Sequence, residues 1–417
     1  MSFNFFDLAE KYRLGDSFDS PISFECSTAV DYDELASIID TSNRQSPDFG
    51  VGVSTPNLIA AGGLKLANLS LLSSYLNAMI QEVQLLSTYI DRSRQLSYVS
   101  IYGQHAGVLD GDMLEKLLEA INVELQPAPD SITSIAVEAS SLSLRKIDDL
   151  RRLGFGHIKI EAFDTRYEVL EVINQHKRAA ALAEQVDYIK KRGRIAAEVE
   201  LQFGLPMQAV EGFVETASSV VALEPDIITL TPSRGVASSN SAVRVGLPSV
   251  EEKLHMLFEG YGYLYAAGYT PISGGRFAKN TSQQAADAIK QKEQLPLYGV
   301  GSGAKSCFGG FVGKNKSELD YLAAINAGNF AAMSCHQPEV SQRLVLELSS
   351  LFRHCKLQKD SLLKNGSLQI NPLQVGGMSI PKLISDLMSE GVLVEEDGLI
   401  CIAKGYEPFA MLFECSW

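Results

Sequence analysis

The chain has 417 residues, of which 46% are hydrophobic and 8% aromatic, enough for one large core and a smaller second unit. Its formal net charge is −14. A surface this acidic repels nucleic acid and anionic membranes, so we expect neither as a partner. The sequence contains no apolar run of about 18 residues. Its first residues also lack a basic segment followed by an apolar one, so we expect a cytoplasmic protein without a secretory signal.

Short apolar strands alternate with amphipathic helices over the first part of the chain. The predicted strands are Phe49–Thr55, Leu96–Tyr102, Ser134–Glu138, His157–Glu161, Ala196–Gln202 and Asp226–Thr231. The predicted helices are Ser70–Tyr89, Asp112–Ile121, Arg145–Leu153, Tyr167–Gln175, Arg178–Arg192 and Val210–Leu223. Six strand–helix units without hairpins predict an α/β fold, a full or partial (β/α) barrel of the TIM type with parallel strands. The spacing of strands and helices along the chain does not distinguish this barrel from an open doubly wound sheet.

The C-terminal part has a different pattern. It predicts helices at Val340–Phe352 and Ser379–Glu390, followed by two apolar runs that flank Glu396-Asp397-Gly398, a hairpin signal. This combination predicts a small winged-helix-like α+β unit whose helix is too acidic for DNA binding. We therefore divide the chain into an N-terminal arm (1–45), a barrel with an extension (46–335) and a winged-helix-like domain (336–417).

The spacing of the cysteines bears on metal chemistry. Consecutive cysteines are at least 14 positions apart, so the chain has no CxxC or CxxxC spacing. Zinc and iron–sulfur sites built from neighbouring cysteines need such spacings, and we predict none here. We expect buried, reduced thiols instead. The six are Cys26, Cys307, Cys335, Cys355, Cys401 and Cys415.

Several glycine-containing segments occur in a distinctive order. Val137-Glu138-Ala139 comes first, followed by Phe203–Gln208 (FGLPMQ), Gly268-Tyr269, Phe277-Ala278-Lys279 and Tyr298–Gly310 (YGVGSGAKSCFGG). In this order they resemble the oxygen-independent coproporphyrinogen oxidase (HemN-like) branch of the radical-SAM superfamily, from about residue 46 to the C-terminus. Glycine motifs are weak individually, so the ordered set carries the resemblance. It implies a radical-SAM-type barrel and S-adenosylmethionine (SAM) as cofactor.

The cluster-binding cysteines of that family have no counterpart. By the resemblance their positions fall on Leu58, Gly62 and Lys65, and none of these side chains ligates iron. Without a [4Fe-4S] cluster no electron reaches SAM for reductive cleavage. The resemblance therefore predicts a cluster-free protein, with no metal ligands.

The family's SAM-binding positions are partly kept. Its glycine loop falls on the segment from Gly103 to Gly107, its acidic residues on Glu138 and Glu200, and its glutamine on Phe163. By this comparison, with the flanking strand ends, the predicted cofactor-binding residues are Tyr102, Gly103, Gln104, Glu138, Phe163, Gln202, Gly204, Gly301, Gly303 and Ala304. Glycines let a ligand approach the backbone closely, but they also form ordinary turns. Tyr102 and Phe163 either stack on the ligand or fill the core.

Three strand-end side chains are predicted to be catalytic: His105, Glu161 and Glu200. The chemistry of a (β/α) barrel lies at the carboxyl-terminal ends of its strands. Histidine and carboxylates act there as general acids or bases, and converging carboxylates attract an amino group or a sulfonium. The structural alternatives are a loop histidine with local hydrogen bonds and carboxylates that cap helices.

Four functions follow from these patterns. The first is a cluster-free enzyme that performs polar SAM chemistry, transfer or cyclisation, on a small molecule. The second is a haem- or tetrapyrrole-binding, chaperone-like protein with His105, His157 or His336 as iron ligand. The third is a regulatory partner of an active homologue, and the fourth a radical coproporphyrinogen dehydrogenase-like enzyme with an atypical cluster. The sequence favours the first, because polar groups of the site are replaced rather than lost. It does not indicate the oligomeric state.

Overall fold

The core of the molecule is one mixed sheet of thirteen strands. A computed structural model describes residues 26–30, 32–56, 66–103, 106–173, 175, 181–233, 246–273, 275–309, 311–335, 356–358, 374–375, 378–403 and 406. The strands are β1 Cys26–Ala29, β2 Asp48–Ser54, β3 Gln95–Tyr102, β4 Pro127–Glu138, β5 His157–Phe163, β6 Ala196–Phe203, β7 Ile227–Pro232, β8 Tyr269–Ser273, β9 Arg276–Lys279, β10 Leu297–Val300, β11 Lys305–Phe308, β12 Phe311–Asn315 and β13 Ala332–Cys335.

Seven neighbouring strands of this sheet are parallel, in the order β10-β2-β3-β4-β5-β6-β7. The six predicted strands are β2 to β7, which confirms the predicted barrel-type α/β fold. Antiparallel strands extend both edges, β9 and β8 beyond β7, and β11, β12, β13 and β1 beyond β10. Among the described residues β1 and β8 end the sheet, so the barrel is partial.

The helices follow the predicted alternation with strands. They are α1 Tyr32–Gln45, α2 Leu66–Ser87, α3 Gly111–Glu124, α4 Leu144–Arg152, α5 Tyr167–Val172, α6 Leu182–Arg192, α7 Val210–Val221, α8 Val250–Ala266, α9 Gln283–Glu293, α10 Glu318–Asn326 and α11 Ile380–Ser389. Local signals fix their ends. Asp110 and Ser143 cap the N-termini of α3 and α4, accepting hydrogen bonds from backbone N–H groups. The glycines that follow α4 and α6, Gly154 and Gly193, have positive φ.

The two faces of the parallel strands differ in chemistry. In β5, Ile158 and Ile160 are fully buried against the helix layer, as are Val199 and Leu201 in β6. The intervening positions in both strands are polar, and successive side chains of a strand point to opposite faces. The sequence alternation therefore places the apolar side chains under the helices and the polar side chains on the inner face of the partial barrel.

Residues near both chain ends also form regular structure. Within the residues assigned to an N-terminal arm, β1 pairs with β13 in the sheet and α1 packs onto the core through Leu35 and Ile39. In the tail, β14 (Lys356–Gln358), β17 (Leu393–Glu396) and β18 (Leu399–Ile402) form a small sheet, and β15 (Gln374–Val375) pairs with β16 (Met378–Ser379). The predicted hairpin is β17–β18, turning at Asp397 and Gly398, both with positive φ.

Several expectations differ from the structure in extent. The strand expected at Ser134–Glu138 begins already at Pro127, and the helix expected at Tyr167–Gln175 ends at Val172. The helix expected at Val340–Phe352 lies outside the described residues. None of the described helices is long and apolar enough to cross a membrane.

Candidate functional site

The inner face of the parallel sheet borders a cavity of about 700 Å³. Strands β3 to β7 supply one wall. The β8–β9 hairpin and α9 supply the opposite wall through Ser273, Arg276, Lys290 and Glu293. A pocket of this size is in the range that holds a small-molecule ligand.

Three carboxylates form a row at the upper edge of this face. Glu138 on β4 is the register partner of Glu161 on β5, which is in turn the partner of Glu200 on β6. Neighbouring strands lie about 4.8 Å apart, so the three residues are side by side. Glu161 and Glu200 line the cavity. Glu138 accepts a hydrogen bond of 3.3 Å from the Ser140 hydroxyl.

A lysine lies below this row. The Lys159 Nζ donates to Glu200 Oε2 at 2.8 Å, and the two side chains are 30% and 10% exposed. Burial alone would lower the pKa of Lys159, but the nearby charges of Glu200, Glu198 and Glu161 outweigh it and raise that pKa. Lys159 is therefore a cation held against Glu200, and its hydrogen bond orients that carboxylate.

The floor of the cavity is a second charged network centred on Glu198. Its Oε2 accepts hydrogen bonds from His157 Nε2 at 2.9 Å and from Arg276 Nε at 3.1 Å, and its Oε1 accepts from Thr229 Oγ1 at 2.8 Å. Arg276 also pairs with Glu293. Burial alone would raise the pKa of Glu198, but Arg276 and His157 outweigh it and hold that pKa well below its usual range. The floor is therefore charged, and both carboxylate oxygens of Glu198 are hydrogen-bonded.

The rim of the cavity contains a strained backbone position. Phe163, at the end of β5, has a φ of 69° and follows a register irregularity against β6. A left-handed phenylalanine is uncommon, and such strain concentrates at functional sites. The backbone next to the carboxylate row thus adopts an unfavourable left-handed conformation at Phe163.

The glycines predicted to cradle a cofactor pack mainly against the chain itself. A Cβ on Gly103 would lie 2.6 Å from Thr55 Oγ1, and one on Gly204 would lie 3.0 Å from Lys253 Cε. A Cβ on Gly301 would lie 2.2 Å from the Ser54 carbonyl oxygen. All three have positive φ, so glycine is required there for backbone conformation and close packing.

The structure brings together only part of the predicted site. Tyr102, Gly103, Glu161 and Glu200 line the cavity. Glu138, Phe163 and Gln202 lie at the ends of the same strands, next to the lining. The described lining of this cavity does not include Gly204, Gly301, Gly303 or Ala304. Gln104 and His105 lie outside the described residues, as do Leu58, Gly62, Lys65 and His336.

Sequence reasoning missed the charged floor. Lys159, Glu198, Arg276 and Glu293 were not among the predicted site residues, although Lys159 and Glu198 alternate with buried apolar residues in β5 and β6. That alternation was the signal that points to the inner face.

His157, considered as an iron ligand, is buried with Nδ1 2.8 Å from Ser134 Oγ and Nε2 bonded to Glu198. Both ring nitrogens are engaged, so His157 is a structural residue.

A second buried polar cluster lies on the other side of β10. Glu82 of α2 accepts hydrogen bonds from the Gly301 N–H and Asn315 Nδ2, both at 2.7 Å, and from the Tyr321 hydroxyl at 2.8 Å. Burial raises the pKa of Glu82 to about 7, against the opposing effect of these bonds. Of the predicted cofactor-binding residues, Gly301 thus belongs to this cluster, through its N–H and its carbonyl oxygen. Within the described ranges, no group of three or more His, Cys, Asp or Glu is positioned to hold a metal ion.

Comparison with known proteins gives one consistent set of relatives. No family model matches the chain. It is 24% identical over 354 residues to the oxygen-independent coproporphyrinogen III oxidase of Escherichia coli K12, covering 79% of this chain and 76% of the relative. The same enzyme of Pseudomonas aeruginosa is 23% identical over 300 residues, covering 66% and 64% of the two chains. The solved structure of HemN from E. coli, described as a radical SAM enzyme, superposes with a TM-score of 0.74 at 19% identity, covering 96% and 97%.

Proposed function

Because the chain is a HemN-like member of the radical-SAM family, we propose that it binds SAM at the carboxyl-terminal ends of its strands and uses it in a polar, cluster-free reaction on a small molecule. The observation that carries the proposal is the row of Glu138, Glu161 and Glu200 across three adjacent strands. Ligands of (β/α) barrels bind at this end of the sheet.

The row of carboxylates suits the two cationic groups of SAM. SAM has a sulfonium, an ammonium and a carboxylate, so its net charge is positive, and opposite charges within a partly buried site attract more strongly than in water. Glu200 is 8% exposed and lines the cavity together with Glu161. These carboxylates, rather than the glycines, support the fit, since Gly103, Gly204 and Gly301 pack against their own chain.

The cluster-free part of the proposal rests on the sequence. The six cysteines lack the short spacing that holds an iron–sulfur cluster in this family. SAM, when bound, supplies an electrophilic carbon next to its sulfonium. The chain's own side chains then hold and orient the ligands: Glu161 accepts a proton from the attacking group, while the hydrogen bond from Lys159 orients Glu200.

The test combines iron analysis with SAM titration on one anaerobically purified sample. We expect no stoichiometric iron and saturable SAM binding by calorimetry. Glu161→Gln and Glu200→Gln should weaken binding by about ten- to a hundredfold each, since a hydrogen bond to a charged group contributes about 1.5–3 kcal/mol. Glu119→Gln, on the exposed face of α3, is the matched control and should bind as the unaltered chain does. Stoichiometric iron with cluster absorbance, or no heat with SAM, would contradict the proposal.

Non-catalytic haem binding has weaker support. It needs an available axial ligand, and among the three candidate histidines the structure describes only His157, whose two ring nitrogens are both hydrogen-bonded. Adding haemin to the same sample checks this alternative: an absorbance shift typical of ligated haem would favour it over SAM chemistry.

A further inference from the structure

The first and the last described strands of the large sheet, β1 and β13, pair with each other, and each contains one cysteine. Cys26 in β1 is the antiparallel register partner of Cys335 in β13. We propose that these two residues form a reversible disulfide, which fastens β1 to β13 when the surroundings become oxidising. The proposal does not rest on the proposed function, because the described lining of the cavity includes no residue of either strand.

A bulge in β1 sets which residue lies opposite Cys335. Thr28 pairs with Ser334. A regular antiparallel ladder would continue from there with Ser27 opposite Cys335. The register shifts between Cys26 and Thr28, and Cys26 takes that place instead. A β-bulge is a specific feature of a fold rather than a defect, and this one aligns the two cysteines.

The spacing of an antiparallel ladder suits a disulfide. Residues directly opposite each other have Cα atoms about 4.5–5.5 Å apart and belong to the same face of the sheet. A disulfide joins Cα atoms that are about 4.4–6.8 Å apart. The register thus brings Cys26 and Cys335 within the range in which the bond forms without a large movement of the backbone.

The other cysteines in described strands have different register partners. Cys307 lies opposite Val312, and Cys401 lies opposite Lys356. Cysteine accounts for only six of the 417 residues, so an accidental meeting of two of them at one position of a sheet is rare. The juxtaposition is therefore a specific property of β1 and β13, which come from distant parts of the chain.

The proposed step is a thiol–disulfide exchange with glutathione disulfide as the oxidant. The thiolate of one cysteine attacks a sulfur of glutathione disulfide, which releases one glutathione and leaves a mixed disulfide. The thiolate of the other cysteine then attacks the protein sulfur of that mixed disulfide and releases the second glutathione. The two protein thiols thereby lose two electrons and two protons, and glutathione disulfide is reduced to two glutathione molecules. Excess glutathione reverses both steps.

The bond would hold a short strand at the end of the sheet. Strand β1 has four residues and, among the described strands, pairs only with β13. A disulfide stabilises a protein mainly by restricting its unfolded chain, more so for longer loops, and this one would close a loop of about 300 residues. We therefore expect the oxidised protein to unfold at a higher urea concentration than the reduced protein.

The full-length protein tests this after equilibration at a series of ratios of glutathione to glutathione disulfide and alkylation of the remaining thiols. On a non-reducing denaturing gel we expect a faster band as the ratio becomes oxidising, because the closed loop keeps the denatured chain compact. The same sample should have two thiols fewer, and mass spectrometry should find a peptide in which Cys26 is linked to Cys335. In denaturing urea the bond should need a far more oxidising ratio, because the unfolded chain no longer holds the two cysteines together.

Serine variants identify the cysteines. Cys26→Ser and Cys335→Ser should each abolish the faster band, whereas Cys307→Ser, the matched control at an exposed position, should keep it. The linked peptide comes from the unaltered chain, so a variant that fails to fold leaves the test intact. The proposal is wrong if no ratio gives the linked peptide, if the two cysteines form only mixed disulfides with glutathione, or if the bond forms as readily in urea as in the folded protein.

Discussion

The carboxylate of Glu82 accepts a 2.7 Å hydrogen bond from the backbone N–H of Gly301, at the end of β10. Its other two donors, Asn315 and Tyr321, are likewise uncharged. The anion is thus buried with hydrogen bonds and without a described cation, which explains why its pKa is raised. This relationship joins α2, β10, β12 and α10.

We predict that Glu82 makes the protein less stable as pH rises from about 4.5 to about 7. The pKa is raised from 4.5 in the unfolded chain to about 7 in the folded protein, so the folded state binds the extra proton within this window. The stabilising contribution is complete below the lower value and lost through the upper one, a change on the order of 3 kcal/mol at most. Urea unfolding of the unaltered chain and of Glu82→Gln across this range measures the difference. A parallel pH dependence of the two proteins would contradict the prediction.

The Lys159–Glu200 pair should stabilise the fold modestly. Lys159→Met leaves the Glu200 carboxylate without its charged partner, and we expect a loss of about 1–2 kcal/mol, since the pair is partly exposed. Urea denaturation of Lys159→Met, Glu200→Gln and the double variant gives the coupling energy. Lys116→Met, on the exposed face of α3, controls for loss of a lysine. Strict additivity of the two single variants would mean that the contact contributes nothing.

Arg276 should be far more important for stability than Lys159. It is 11% exposed and compensates Glu198, which is 1% exposed, so Arg276→Met leaves a buried anion and costs about 3–5 kcal/mol. Adding Glu198→Gln to that variant should recover part of the loss, because the uncompensated charge is gone. Thermal unfolding measures both, with the exposed Arg145→Met as control. If the double variant is less stable than Arg276→Met, the account of the floor is wrong.

The stabilities of Phe163→Gly and Phe163→Ala, compared with each other, should show that the backbone at Phe163 is strained. At its φ of 69°, alanine is disfavoured and glycine is not, so Phe163→Gly should be about 1 kcal/mol more stable than Phe163→Ala. Both remove the same ring contacts. Thr133 in β4 does not have a positive φ, so the order of stability should reverse there. Thr133→Ala should be about 0.5–1 kcal/mol more stable than Thr133→Gly. Chemical denaturation of the four variants is sufficient, and the same order at both sites would argue against strain.

Much of the fold was predictable because its signals are local. The alternation of apolar and polar residues in segments such as His157–Glu161 gave the strands, and Gly154 and Gly193 marked where α4 and α6 end. The β8–β9 hairpin was missed. Its strands have five and four residues, too short for periodicity to register, and β9 joins the sheet next to β7, far from it in sequence.

Only the site residues at the ends of strands could be predicted from the sequence. Glu161 and Glu200 were found because they end strands, and their pairing follows from the parallel register. Arg276 and Glu293 were not, because their contacts with Glu198 and Tyr98 join residues 78 and 195 positions apart. No local pattern encodes such contacts.

The sequence by itself determined the parallel strand–helix alternation and the strand-end positions of Glu161 and Glu200, since both depend on residue spacing within a segment. The tertiary structure decided which polar groups meet. Lys159 contacts Glu200 and Arg276 contacts Glu198 only because strands from separate parts of the chain are placed in register. The structure also decided that Gly103 and Gly301 pack against Thr55 and Ser54. The physical reason is that the type of a residue limits which backbone conformations and contacts it can have. Which residue becomes its contact partner depends on how distant segments pack across the sheet.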